Sequence, residues 1–134
     1  MTRLIRLIRD ARGTGAIEMA IVLPVLVSFI WGIFQLGLLF QASAGMQNGL
    51  LEAARYATLH PTPTDPQIRD RVTAKTFGTY NGKLDPLVIE NFNDAAGVTK
   101  YKEFTLVYAQ KLDVLFMSGP TVTLTRKKRV YLSV

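Results

Sequence analysis

The sequence predicts an α+β protein in which a long N-terminal transmembrane helix continues into a small head made of a short helix and a few antiparallel strands. Three observations carry this reading. From Ala16 to Phe40 the only strongly polar side chains are Glu18, Ser28 and Gln35. Beyond Phe40, Gln41, Gln47, Asn48, Glu52 and Arg55 alternate with Ala42, Met46, Leu50, Leu51, Ala54 and Tyr56 near the helical period, until prolines intervene at His60-Pro-Thr-Pro-Thr-Asp-Pro66. The last third is rich in β-branched and aromatic residues and alternates in polarity.

The chain divides into a basic leader (1–13), a long helix (14–58) and a head (59–134). In the leader, Arg3, Arg6, Arg9 and Arg12 alternate with Leu4, Ile5, Leu7 and Ile8, a pattern suited to an interfacial amphipathic helix. The span runs from about residue 19 to 40; as a helix it is roughly 33 Å long, enough to cross a hydrocarbon core of about 30 Å. The leader arginines keep the N-terminus cytoplasmic and send the head outward.

Pro24 cannot donate to the carbonyl of Ala20, so a kink or a local loosening is expected there. Ser28-x3-Gly32 and Gly45-x3-Gly49 have the small-residue spacing that lets helices approach closely. Trp31 falls mid-span, away from the interfacial belt, and reads as a packing residue. The proline run ends the helix, because a residue before proline resists helical geometry.

In the head, Asp65 and Pro66 form an N-cap and first position for a short helix, Gln67 to Phe77. Tyr80-Asn-Gly-Lys83 is a turn. Asp85 to Asn93 fits a short helix or a strand. Phe104 to Ala109 reads as a strand. So does Val122 to Leu132, with Val122, Leu124, Val130 and Leu132 on one parity; Ser118-Gly-Pro120 separates this last strand from Leu112–Met117. About 75 residues for the head leave it a thin core.

Several function classes lack residues. There is no cysteine, and the single histidine, His60, lies in the proline-rich loop without a second ligand. No acid–base pair and no nucleophile–base set is visible, so neither an enzyme nor a cofactor is expected. The net charge of +6 is concentrated. Half comes from the leader, and four more positive charges stand in Arg126-Lys127-Lys128-Arg129. That basic run could meet nucleic acid or anionic lipid. On a strand, however, alternate residues face opposite ways, and Tyr131 is the one aromatic beside it. A charge-protected strand edge is the better reading, and nucleic acid is disfavoured as a partner.

Three readings fit the apolar segment. A removable secretory signal would use the Ala-x-Ala pattern in Gln41–Gly45, but its core would exceed the usual length by about ten residues. A plain anchor explains the topology and leaves Glu18 unexplained, although a lone carboxylate in such a place is a functional clue by default. The third takes Arg12-Gly-Thr-Gly-Ala-Ile-Glu-Met-Ala-Ile-Val-Leu-Pro24 as a signal for processing and assembly. With Gly13 before a cut, Glu18 as the fifth residue after it and a long apolar helix following, it resembles the prepilin signature of type IV pilins. In particular it is similar to the TadE-like minor pilins (pseudopilins) of Tad, or type IVc, pili. Thr14 replaces the usual alanine, and Met19 stands where an aromatic is common. Leu50-Leu-Glu-Ala-Ala-Arg-Tyr-Ala57 also resembles the segment that ends the long helix in that family.

This resemblance implies cleavage between Gly13 and Thr14 by a membrane aspartyl prepilin peptidase. It implies as partners other minor and major pilins, the inner-membrane assembly platform and membrane lipid. It places the protein in a bacterial inner membrane with a periplasmic head, and on a surface pilus after assembly, where adhesion is a further role. Cleavage would expose an ammonium on Thr14, and Glu18 lies one helical turn further on. Between packed subunits, the carboxylate of one could pair with the ammonium of another and fix their register. Stranding one partner of such a buried pair costs about 3–5 kcal/mol. The opposing reading is a membrane-anchored basic module that captures DNA or an anionic surface polymer.

Overall fold

The computed structural model describes residues 14–93, 97–114 and 117–132. Its first element, α1, spans Thr14–Ala57, 44 residues or about 66 Å. The helix runs through Pro24 without a break, and the Ser28 hydroxyl donates to the carbonyl of Pro24 at 2.8 Å. The second helix, α2, spans Asp65–Lys75. Four strands follow: β1 (Lys83–Leu84), β2 (Val88–Asn93), β3 (Thr99–Val114) and β4 (Met117–Tyr131).

All strand pairs are antiparallel. β3 is central, with β4 along one side and β1 and β2 sharing the other. α1 lies across one face of this sheet, and α2 packs mainly against α1. The core forms where the head-side half of α1 presents Leu39, Ala42, Met46, Leu50, Ala53 and Ala57, one buried residue every three or four positions. Against them pack Ile68 and Val72 of α2 and Phe104, Leu106, Tyr108 and Val130 of the sheet. Burying these side chains is the main stabilisation the small head has.

Close approach explains the glycines of α1. A Cβ on Gly45 would lie 1.8 Å from the carbonyl oxygen of Phe77, and one on Gly49 would lie 2.2 Å from Thr76 Oγ1. The Gly45-x3-Gly49 pair therefore receives the C-terminal exit of α2 within the same chain. Asn48 also reaches it, donating to the Lys75 carbonyl at 2.9 Å.

Three element boundaries differ from the sequence expectation. The N-cap of α2 is Thr64, one residue earlier than Asp65; its backbone N–H donates to Gln67 Oε1 at 2.9 Å. Asp65 instead accepts from Lys102 Nζ at 2.7 Å, tying the start of α2 to β3. The helix ends at Lys75 because Thr76 turns to extended geometry (ψ 135°). The last strand is not preceded by a turn at Ser118–Pro120, because β4 already starts at Met117 and runs through them. Between the pairs Lys111↔Thr121 and Asp113↔Ser118, Gly119 and Pro120 oppose the single residue Leu112, which makes a bulge. A proline is tolerated there, on an edge strand at a position that gives up a ladder bond. The segment Asp85–Asn93 resolves as strand β2 from Val88.

Candidate functional site

The residues singled out in the sequence fall into three places. The first is the free end of α1. Glu18 is exposed on it, one turn after Thr14; Gly13 and the basic leader lie outside the described residues. The large apolar side chains from Ile17 to Phe34 are also exposed, Ile21, Val25 and Phe29 each at 67%. The helix holds an 18-residue window of mean hydropathy 2.2, none of it buried by the rest of the chain, and is long and apolar enough to cross a membrane. An apolar surface of this extent is not stable in water and marks a membrane or a protein partner. Ser28 and Gly32 lie within it and line a shallow groove with Phe29, Ile33, Leu36 and Leu112. Nothing stands within 4 Å of a Cβ built on Gly32.

The second place is where the sheet meets the helix. Trp31 Nε1 donates to the carbonyl of Asp113 at 2.8 Å, and the Gln35 amide donates to the same oxygen. About two turns beyond Gln35, Arg126 Nη2 donates to Ser43 Oγ at 2.7 Å. Sequence reasoning missed these contacts. A signal was present, because Gln35 and Ser43 are polar residues on or beside the stripe that runs through Leu39, Ala42 and Met46, where a buried amide or hydroxyl needs a partner.

The third place is the basic run, which the strand divides. Arg126 and Lys128 are on the helix-covered parity, with Val130. Lys127 and Arg129 are on the outer face, where they bracket Glu103 at 3.1 and 3.2 Å. Their hydrogen bonds, that of Lys127 first and then that of Arg129, hold the Glu103 carboxyl below the usual carboxylate range. The Arg129 guanidinium also lies over the ring of Tyr101, 4.7 Å from its centroid. Tyr101 stacks on Phe92 at 4.6 Å and leans on Tyr131 at 5.5 Å. Strand pairing thus brings two further aromatics beside the basic run, which the linear sequence keeps apart.

Among the described residues no three His, Asp or Glu side chains converge as a metal site. Tyr108, whose hydroxyl donates to Gln110 Oε1 at 3.0 Å, is buried in the core, and burial raises its pKa.

Residues 13–55 match the family model described as TadE-like protein. The match begins at Gly13 and covers Glu18, Pro24 and most of α1. No curated protein and no solved structure matches the chain.

Proposed function

The chain carries a TadE-like segment in its long helix, and from that premise we propose that it is a membrane-anchored minor pilin, or pseudopilin. In this reading a prepilin peptidase cuts after Gly13, and the processed protein primes or enters a Tad-type pilus. Its partners are the other minor and major pilins and the inner-membrane assembly platform. Its N-terminus faces the cytoplasm and its head the periplasm, because the four leader arginines precede the span. The chain supplies surfaces and a register charge, and no chemistry of its own.

The observation that carries the reading is the placement of Glu18. It belongs to the family-matched segment and stands on a stretch of helix that no part of the head covers. A carboxylate on an apolar helix needs a partner from elsewhere, and the ammonium of a processed Thr14 on a neighbouring subunit has the right charge and level. The secretory-signal alternative fits less well. Ala42, Ser43 and Gly45 are buried in continuous helix, and a cut before Gly45 would strip Leu39 and Ala42 from the core.

The test is co-purification of pilin partners from membranes with Glu18 variants, processing being checked in parallel. Glu18→Ala and Glu18→Gln should insert and be processed normally yet lose partner capture. The expected loss is about 3–5 kcal/mol, two to three orders of magnitude in affinity. Glu18→Asp should be intermediate. Normal capture by the Gln variant would remove the ion-pair account.

A further inference from the structure

We propose that the free edge of β4 in one copy of the chain docks against the free edge of β2 in a second copy, the two standing side by side and pointing the same way. The inference rests on the membrane reading above and adds a lateral partner to it.

The outer face of the sheet is ordered in rows that run across the strands. In one row Glu90 of β2 lies opposite Glu103 of β3, which lies opposite Arg129 of β4. In the next, Phe92, Tyr101 and Tyr131 follow in the same order. Both rows are unfinished at their ends. Glu90 is exposed, faces a like charge directly across the strands, and has no cation as a partner among the described residues. At the far end Arg129 shares Glu103 with Lys127 and keeps about half of its side chain in solvent. The aromatic row ends on Phe92, 37% exposed, and on Tyr131, 61% exposed. Among the described residues β2 and β4 each pair with β3 alone, so both outer edges are open.

The direction of the strands decides which edges can meet. β4 runs beside the head-side half of α1 in the same direction. Asp113, the strand partner of Ser118, is bonded to Trp31; Arg126 is bonded to Ser43; and Leu132 lines one hollow with Ala57 and Leu59. Copies inserted in one membrane with the same topology therefore hold their strands parallel, and at equal depth their rows are level. An antiparallel meeting of two β4 edges would turn one α1 upside down. Two parallel β4 edges would set the cations Arg126 to Arg129 beside the same four cations, and two parallel β2 edges would set Glu90 beside Glu90; both arrangements repel. β4 beside β2 remains, and in it the rows complement each other. Arg129 meets Glu90 of the second copy, and Tyr131 meets its Phe92. The charge order minus, minus, plus then repeats across the joint, and the unpaired carboxylate gains a cation. The charges that keep β4 from joining its own kind thus select an acidic neighbour. Each pair leaves one edge of each kind free, so the contact is heterologous and can add a third copy.

The chain has no cysteine, so introduced cysteines report the contact. Val88 and Lys127 end the row beside that of Glu90 and Arg129, again with one residue of β3 between them. Full-length chains with Val88→Cys and full-length chains with Lys127→Cys are mixed in phosphatidylcholine vesicles at a low protein-to-lipid ratio and treated with a short bis-maleimide. The 88–127 product should exceed the 88–88 and 127–127 products several-fold. Glu90→Lys on the first chain should cut it several-fold while the head resists heat at least as well, since a like-charge pair is removed. Arg129→Glu on the second chain should then restore it. Equal amounts of the three products, a dominant 127–127 product, or no rescue by the charge swap would overturn the contact. If flotation shows that the chains do not bind the vesicles, the membrane reading fails and the contact fails with it. Vesicle-bound chains without the 88–127 product overturn the contact alone.

Discussion

Glu103 stands between Arg129 on β4 and Glu90 on β2, with Lys127 one step along the strand. Its folded pKa is lowered, so its contribution to stability is complete above the unfolded carboxylate pKa. The contribution is lost as the pH falls through the lower, folded value. Thermal unfolding of the head should therefore show a drop in Tm on acidification from about pH 7 to about pH 3, and Glu103→Gln should show a smaller one. An equal drop in both would remove Glu103 from the acid response. Gly45 gives a steric prediction. Gly45→Ala forces backbone apart at Phe77 and should cost about 1–3 kcal/mol by denaturant unfolding. Gly37→Ala, which meets open space, should be neutral or stabilise by up to about 1 kcal/mol. At this scale, legibility depended on locality. Gly13 and Glu18 belong to a contiguous pattern, which the family model also matches. The Gly45-x3-Gly49 spacing announced a close approach without naming what approaches, because Phe77 is distant in sequence.

At the level of elements, the end of α1 was legible to within a residue, because a proline-rich loop follows its long apolar run. α2 was legible in place but not in its cap, since Thr64 and Asp65 are both good capping residues and only the tertiary contact of Asp65 with Lys102 decides between them. β3 extends well beyond Phe104–Ala109 because β2 and β4 supply ladder partners to its polar ends. Ser118-Gly-Pro120 resembles a turn and is a bulge, because Gly119 lets the strand pass Leu112 where a Cβ would lie 2.0 Å from its carbonyl oxygen. The stripe on α1 carries a packing prediction. Met46→Ala empties a fully buried site between helix and sheet and should destabilise the head by about 2–5 kcal/mol. Leu51→Ala, on the exposed side of the following helix turn, should stay within about 0.5 kcal/mol of wild type. Equal effects in the two variants would mean that the buried face of α1 is assigned wrongly.

The whole molecule joins two parts with opposite needs. The head closes its own core on one face of α1, while the first half of that helix is apolar on all sides and finishes nothing within the chain. The alternation of strand and helix periods made this division visible in the sequence. Where the sheet is fastened to the helix was not visible there, since it depends on the long-range contact of Asp113 with Trp31 and Gln35. In the proposed function, the protein is inserted, trimmed and joined to others. The trimming is the step that separates a pilin-like subunit from an ordinary anchor. Intact-mass and N-terminal peptide mass spectrometry of the protein extracted from its native membrane reads it directly. The account predicts a mature chain that begins at Thr14, with Gly13→Leu accumulating the unprocessed form. A mature chain that begins at Met1 or at Gly45 would contradict it.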